Sequence, residues 1–148
     1  MRAVLARVKS ASVTIGGTVK GEIGEGFLVL LGIHETDTEQ EARKIADKIS
    51  GIRIFEDEYG KMNLNAFSAG HSDLLIISQF TLYADCKSRR PGFSKAARPE
   101  TAVPLYELVI RLCRESGFNV STGEFGADMQ VYSQNDGPVT IILDTEEL

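Results

Sequence analysis

The chain has 148 residues, of which 43% are hydrophobic and 25% charged, as is typical of a single globular domain over residues 1–148. It has no apolar run of the ~18 residues that a membrane span needs, and Arg2, Arg7 and Lys9 interrupt the N-terminal apolar run, so we expect neither a span nor a signal peptide. A cytoplasmic location is expected, and the net charge of −5 argues against indiscriminate binding of nucleic acid.

The first part of the chain predicts three strands. Residues Arg2–Ile15 alternate in part and read as one long strand. The pair Gly16 and Gly17 lies between this run and "TVKGEI", and predicts a tight hairpin because both residues can take positive φ. The continuous apolar run Gly26–Ile33 predicts a buried strand.

A helix is predicted next. Thr36 to Thr38 supplies N-cap candidates, and Glu39 to Glu41 supplies capping-box partners in the first turn. Gly51 is placed to end the helix as its C′ residue. Apolar residues recur at the helical spacing i, i+3, i+4, i+7: Ala42, Ile45, Ala46 and Ile49.

The second half of the chain predicts further strands and a second helix. "IRIF" reads as a short strand, and Asp73–Asp85, "DLLIISQFTLYAD", as a long one. A helix is expected from about Thr101 to Gly117, with Pro104 tolerated in its first turn. Its core stripe comprises Leu105, Leu108, Val109 and Leu112. Residues 119–145 then predict strand, loop and strand, with "VTIILDT" as the last strand.

These elements are mostly strands, with two main helices and no sustained alternation of strand and helix. That order favours an α+β fold. We expect a curved, barrel-like and mostly antiparallel sheet with the helices packed against it.

The strand Asp73–Asp85 begins with four aliphatic side chains and then becomes polar at Ser78, Gln79 and Thr81. Two explanations are open. The polar groups are hydrogen-bonded within a core, or this end of the strand lines a site.

A basic segment follows that strand. Residues Cys86–Pro99 contain no acidic residue but hold five of the sixteen basic ones: Lys87, Arg89, Arg90, Lys95 and Arg98. The rest of the chain is therefore strongly acidic. The segment is either a solvated loop or a local binding surface for phosphates.

Familiar catalytic motifs are missing. The two cysteines, Cys86 and Cys113, form no CxxC pair and are expected to be free thiols. The two histidines, His34 and His71, show no metal-ligand spacing and no nucleophile motif, so neither a metal site nor a Ser-His-Asp triad is predicted. The residues taken alone point to an α+β domain with no evident general base, and they leave open whether its basic segment binds an anionic ligand.

Two motifs add a family resemblance. "SQFTLYAD", Ser78–Asp85, and "NDGPVT", Asn135–Thr140, resemble the paired signature motifs of the D-aminoacyl-tRNA deacylase (D-Tyr-tRNA deacylase) family. "MRAVLARVKSASVTI", "GFLVLLGI", "RPGFSKAARP" and the total length resemble it too. The resemblance implies a barrel-like homodimer, without cofactor, metal or membrane. It would hydrolyse the ester of D-aminoacyl-tRNA, and of mischarged glycyl-tRNA, and reject L-amino acids.

The resemblance also implies roles for individual residues. The Ser78–Leu82 motif would line the pocket for the aminoacyl-adenosine, with Phe80 and Thr81 as catalytic residues and Ser78, Gln79 and Leu82 as binding residues. Backbone N–H groups of Phe80 and Thr81, or the Thr81 hydroxyl, would stabilise the oxyanion. The substrate's own 2′-hydroxyl would orient or activate water, so that no side-chain base is required.

Further residues are implied outside that motif. Met129 resembles a pocket-wall residue, although plain core filling explains a methionine equally well. Gly137 and Pro138, joined by a cis bond in the family, would reach into the partner's pocket and exclude L-amino acids. Arg7 resembles a residue near this pair, or is an exposed charge on its strand. The tRNA phosphates would lie on the basic loop, at Lys87, Arg89, Arg90 and Lys95.

Two other functions remain open. One is an L-specific aminoacyl-tRNA or other ester hydrolase on the same scaffold. The other is a non-catalytic dimeric module that binds RNA or a nucleotide through the basic loop.

Overall fold

The computed structural model describes residues 1–148. One mixed sheet, one small hairpin and three helices make up the fold, with a short 3₁₀ turn at Phe80–Tyr83. The strands are β1 Arg2–Ile15, β2 Thr18–Ile23, β3 Gly26–Gly32, β4 Phe55–Glu56, β5 Met62–Leu64, β6 Asp73–Ser78, β7 Asn119–Thr122 and β8 Gln130–Asp144. The helices are α1 Glu39–Gly51, α2 Ala66–Ala69 and α3 Pro99–Glu115. None of them is long and apolar enough to cross a membrane.

The main sheet is a nearly closed barrel. Its order is β2-β1-β3-β6-β7, and β8 pairs with β1 alone. The two ends of this order meet, since the Ser121 hydroxyl of β7 donates to the Glu22 carbonyl of β2 at 3.3 Å. One long edge, that of β8, has no strand partner in the chain.

The sheet is mixed: three of its five strand pairings are antiparallel, in line with the expectation of a mostly antiparallel sheet, and two are parallel. β1 pairs antiparallel with β2, β3 and β8, whereas β3–β6 and β6–β7 are parallel. The reason lies in the connections. The chain from β3 to β6 passes through α1, and the chain from β6 to β7 passes through α3; such crossovers return a strand in the same direction.

The apolar strands bury both faces of the sheet. A cluster of 26 buried residues fills the space between the sheet, α1 and α3, and a second cluster of eight fills the other face. In β6, Leu74 and Ile76 belong to the first cluster, and Leu75 and Ile77 to the second. The continuous apolar run of this strand therefore reflects burial on both sides.

The helices begin where local chemistry stabilises their first turns. Thr38 caps α1 and forms a capping box with Glu41, as predicted, and the four residues of the predicted stripe are buried. Gly51 is the last helical residue and not the C′ residue. α3 starts at Pro99, two residues before the predicted start, so Pro104 lies inside the helix beyond its first turn.

The prediction of a strand over Asp73–Asp85 is wrong for the second half of that segment. β6 ends at Ser78, and the chain turns into the 3₁₀ turn. The pairing strand β3 ends at Gly32, and the Gln79 N–H makes a last backbone bond to Leu31, at 2.8 Å. The polar residues thus begin where the strand loses its neighbour.

Candidate active site

A cavity of about 290 Å³ lies at the carboxyl ends of β3 and β6. Because these strands are parallel, their ends meet at one edge of the sheet, where ligands commonly bind in such sheets. The walls are mainly apolar; Leu31 and Ile33 at the end of β3 and Val131 of β8 contribute to them, together with three further stretches of chain. The end of β6 and the 3₁₀ turn contribute Ile77, Ser78, Gln79 and Phe80; the start of α3 and the residues before it contribute Ala97 and Ala102; the chain before β8 contributes residues 125–129.

Ser78 and Gln79 form the polar part of the wall. Both are half-buried. The Gln79 carbonyl accepts from the Leu82 N–H at 3.3 Å, and its side-chain amide donates to the Thr81 hydroxyl. A Cβ at Gly32 would lie 3.0 Å from the Gln79 carbonyl oxygen, so the turn packs tightly against β3. Backbone packing therefore sets the position of this polar wall.

Phe80 and Thr81 are exposed at the start of the 3₁₀ turn. The first N–H groups of any helix have no acceptor within the helix, so these two positions can present donors to a ligand. The Thr81 hydroxyl already accepts from Gln79, while its own proton stays free to donate.

Leu82, like Thr81, is not among the residues that line the cavity, whereas Ser78, Gln79 and Phe80 are. Its side chain lies against Gly32, and its carbonyl accepts from Arg2 Nη1 at 2.8 Å. In this chain Leu82 anchors the turn to β1 and β3.

Met129 lies in the cavity wall and also packs against the second buried cluster, so the structure is compatible with both explanations of this residue. A Cβ at Gly123 would come within 2.5 Å of its sulfur, so the absent side chain of Gly123 makes room for Met129. Sequence reasoning missed its neighbours in the wall, residues 125–128 and Val131. Only their closeness in sequence to Met129 could have indicated them.

The cavity contains no evident general base. Asp128 is its single titratable residue, and its side chain is exposed. Cys113 is buried away from the cavity, and burial raises the pKa of its thiol to about 12. No three His, Cys, Asp or Glu side chains are grouped to hold a metal ion. What the cavity can supply is shape, polar contacts and backbone donors.

Gly137 and Pro138 lie outside this cavity, on β8. Ala6 of β1 pairs with Thr140, and Val8 pairs with Asn135, so Asp136 to Val139 bulge out opposite Arg7. Gly137 and Pro138 are both exposed, and the peptide bond between them is cis. The pair therefore lies on the surface of the subunit and is not part of its own cavity.

Arg7 supports this bulge from beneath. It is buried, with 6% of its surface exposed, so it is not the exposed strand charge that was the alternative. Its Nη1 donates to the Ile54 carbonyl at 2.8 Å, and its Nε donates to the Asp136 carbonyl at 3.3 Å and pairs with the Asp136 carboxylate at 3.3 Å. Three contacts tie the base of the bulge to the core.

The basic loop follows the 3₁₀ turn and leads into α3. It folds back on itself through two backbone bonds between Asp85 and Gly92, of 2.7 and 2.9 Å. The Ala97 N–H then donates to the carbonyl of Ile33, the residue that follows β3. The four candidate cations are exposed and form no salt bridge: Lys87, Arg89, Arg90 and Lys95. Their charges are available to an anionic partner beside the cavity.

Comparisons with known proteins agree over nearly the whole chain. The family model described as D-Tyr-tRNA(Tyr) deacylase matches residues 4–144. The D-aminoacyl-tRNA deacylase of Thermus aquaticus is 54% identical over 148 residues, covering 99% of this chain and 97% of that protein. That of Brevibacillus brevis is 53% identical over 146 residues, covering 98% and 100%.

Solved structures show the same fold. The c-Myc DNA Unwinding Element Binding Protein is 41% identical, with a TM-score of 0.91 over 98% of this chain and 99% of that one. A probable eukaryotic D-amino acid tRNA deacylase is 16% identical, with a TM-score of 0.83 over 96% and 97%, a likeness of fold alone.

Proposed function

This chain belongs to the D-Tyr-tRNA(Tyr) deacylase family and is a hydrolase of the D-aminoacyl-tRNA deacylase type, and from that premise we propose how it selects and cleaves its substrate. The substrate is the ester between a D-amino acid and the 3′-terminal adenosine of tRNA, and the products are free amino acid and tRNA. The observation that carries the proposal is the position of Ser78, Gln79 and Phe80 in the wall of the cavity, with Thr81 next to them in the 3₁₀ turn. The reaction proofreads tRNA charging in the cytoplasm.

Catalysis in this proposal rests on positioning and on stabilisation of developing charge. The N–H groups of Phe80 and Thr81 donate to the oxyanion that forms on the ester carbonyl. Ser78 and Gln79 hold the ribose. The vicinal 2′-hydroxyl of the ribose orients the attacking water, since the cavity offers no well-placed side-chain base.

An assay with D-Tyr-tRNA tests the function. We expect release of tyrosine over many turnovers at catalytic enzyme concentration, with L-Tyr-tRNA left intact. Binding of D-Tyr-tRNA without turnover would favour the non-catalytic RNA-binding module. Hydrolysis of the L-ester at a comparable rate would favour an unselective esterase, and hydrolysis of the L-ester alone would favour an L-specific one.

Stereochemical selection is assigned to Gly137 and Pro138 of a second subunit. Both are exposed on the bulge of β8, and neither lines the cavity of its own subunit. If this pair completes a cavity, the cavity must therefore belong to another copy of the chain. Their backbone carbonyls accept from the substrate's α-ammonium group and crowd the side on which an L side chain would project. Backbone atoms sense the configuration at Cα without reading the side chain. Specificity among D-amino acids is therefore broad, and achiral glycine is accepted.

A symmetric dimer is the first expected consequence. In a two-fold assembly each Gly-Pro pair enters the other subunit's cavity, and the unpaired edge of β8 lies beside that pair. Light scattering at micromolar concentration should give about twice the monomer mass of 16.2 kDa. A monomer with full activity would contradict the shared site.

The basic loop is assigned to the phosphates of the tRNA acceptor end. Replacing two cations, Arg89→Ala with Arg90→Ala, should weaken tRNA binding and lower the slope of log affinity against log salt by about two, roughly one per lost phosphate contact. A short aminoacyl-adenosine ester should be hydrolysed as before. Filter binding over a range of salt concentrations measures the slope.

A matched variant controls for net charge. Arg43→Ala with Lys48→Ala removes the same two charges from the exposed face of α1 and should leave the slope unchanged. Equal losses by the loop variant on tRNA and on the short ester would mean that the loop shapes the cavity and does not contact phosphates.

A further inference from the structure

Two exposed aromatic rings meet at the mouth of the cavity. Phe80 is 55% exposed and Phe93 is 37% exposed. Their centroids are 5.0 Å apart and their planes lie at 75°, an edge-to-face pair. Phe80 lines the cavity, whereas Phe93 does not. Phe93 thus extends the aromatic surface outward from the cavity wall.

Phe93 is held in this position by the basic loop. The residue before it, Gly92, is bonded to Asp85 in both directions, and its own carbonyl accepts from the Ala96 N–H at 3.1 Å. Lys95 lies two residues after Phe93, and Arg90 lies three residues before it. An aromatic side chain in a tethered loop is therefore set among unpaired cations.

That arrangement fits one class of ligand. Proteins bind single-stranded nucleic acid by stacking bases on exposed aromatic rings while nearby cations follow the backbone. The core does not need Phe93, which belongs to neither buried cluster. A folded protein partner would not require the exposed, unpaired cations of the same loop.

We propose that Phe93, supported edge-on by Phe80, is a stacking platform for the unpaired nucleotide immediately 5′ of the terminal adenosine of tRNA. The inference rests on the proposed function, which puts the terminal aminoacyl-adenosine in the cavity. The chain of the nucleic acid must then leave through the mouth, past Phe80 and over the basic loop. The phosphate of that nucleotide lies among the loop cations, and its base lies on Phe93.

The test compares Phe93→Leu with the wild-type enzyme on two substrates. Leucine keeps an apolar side chain against Phe80 and removes the aromatic face. With D-Tyr-tRNA the KM should rise on the order of tenfold, the usual cost of one lost stacked base. With the short D-tyrosyl-adenosine ester, which has no second nucleotide, kcat/KM should stay the same. Phe93→Tyr should restore the tRNA KM.

An altered substrate locates the base. A tRNA with an abasic nucleotide next to the terminal adenosine should raise the wild-type KM by the same factor, and Phe93→Leu should then add nothing further. Additive losses would mean that the ring contacts something else. Equal losses on tRNA and on the short ester would mean that Phe93 only positions Phe80. Either result, or no loss at all, would overturn the proposal.

A binding measurement separates this inference from the proposed function. The ligand is a short oligonucleotide with the tRNA 3′ sequence and no amino acid attached. Measured by fluorescence anisotropy, its affinity for the wild-type protein should exceed its affinity for Phe93→Leu on the order of tenfold. If the wild-type protein hydrolysed neither ester, the proposed function would fail. The difference in oligonucleotide affinity would still show whether Phe93 stacks a base. Equal affinities would exclude the platform.

Discussion

A D-aminoacyl-tRNA whose terminal ribose lacks the 2′-hydroxyl should be hydrolysed more slowly by a factor on the order of 10²–10³, the cost of losing one group that acts in the transition state. Thr81→Ala, by contrast, should keep close to the wild-type rate with the natural substrate. Single-turnover kinetics with saturating enzyme measures both values. In this mechanism the hydroxyl that acts in catalysis is the 2′-hydroxyl of the substrate, and the groups that donate to the oxyanion are backbone N–H groups.

The geometry of the turn supports that assignment. The Thr81 hydroxyl accepts from the Gln79 amide, so it takes part in the scaffold of the turn. Thr81→Ala removes this bond but keeps the backbone N–H and the packing of the turn against Gly32. The one carboxylate in the wall, Asp128, is exposed, so no buried side chain competes with the 2′-hydroxyl for the role of base.

Two variants complete the comparison. Thr81→Ser keeps the hydroxyl and should behave as wild type. Asp128→Asn removes the remaining carboxylate and should leave the rate on the natural substrate largely intact. A fall on the order of 10²–10³ for Thr81→Ala, together with normal hydrolysis of the 2′-deoxy substrate, would move the catalytic hydroxyl to the enzyme and contradict this mechanism.

Gly137→Ala should lower D-aminoacyl-tRNA hydrolysis on the order of 10²-fold, because misplacing a positioning group by about 1 Å has that effect. Gly137 has a φ of +123°, and a Cβ there would lie 2.8 Å from Val139 Cγ2, 2.9 Å from the Val139 nitrogen and 3.2 Å from Arg7 Nη2. The bulge must shift, and its carbonyls shift with it. The remaining activity should discriminate less between D and L esters, which parallel assays on both enantiomers would measure.

Gly60→Ala is the matched control. Gly60 also has a positive φ, of +74°, but a Cβ there meets nothing within 4 Å. It carries the same kind of backbone cost and no collision, so its rate and its selectivity should equal those of the wild type. If Gly137→Ala retained both the full rate and the full preference for D esters, selection by the Gly-Pro pair would be wrong. The hydrolase assignment would stand.

Local sequence was sufficient for the elements whose cause is local. The hairpin between β1 and β2 forms at Gly16 and Gly17, which both take positive φ as predicted. α1 begins at the predicted cap because the Thr38–Glu41 bonds involve residues three apart. The two signature motifs indicated the family, since they place Ser78–Thr81 and Gly137–Pro138 in one chain.

Tertiary structure alone decided the rest. The predicted strand Asp73–Asp85 ends at Ser78 because its neighbour β3 ends there, which no property of the segment itself reveals. Arg7 is buried, although a charge on a strand reads as exposed, because the Ile54 carbonyl and Asp136 supply distant partners. The cavity joins residues of β3, β6, α3 and the chain before β8, and only the closing of the sheet brings them together. Sequence patterns report interactions a few residues apart, whereas the pairings that set the strand end, the buried charge and the cavity join residues far apart along the chain.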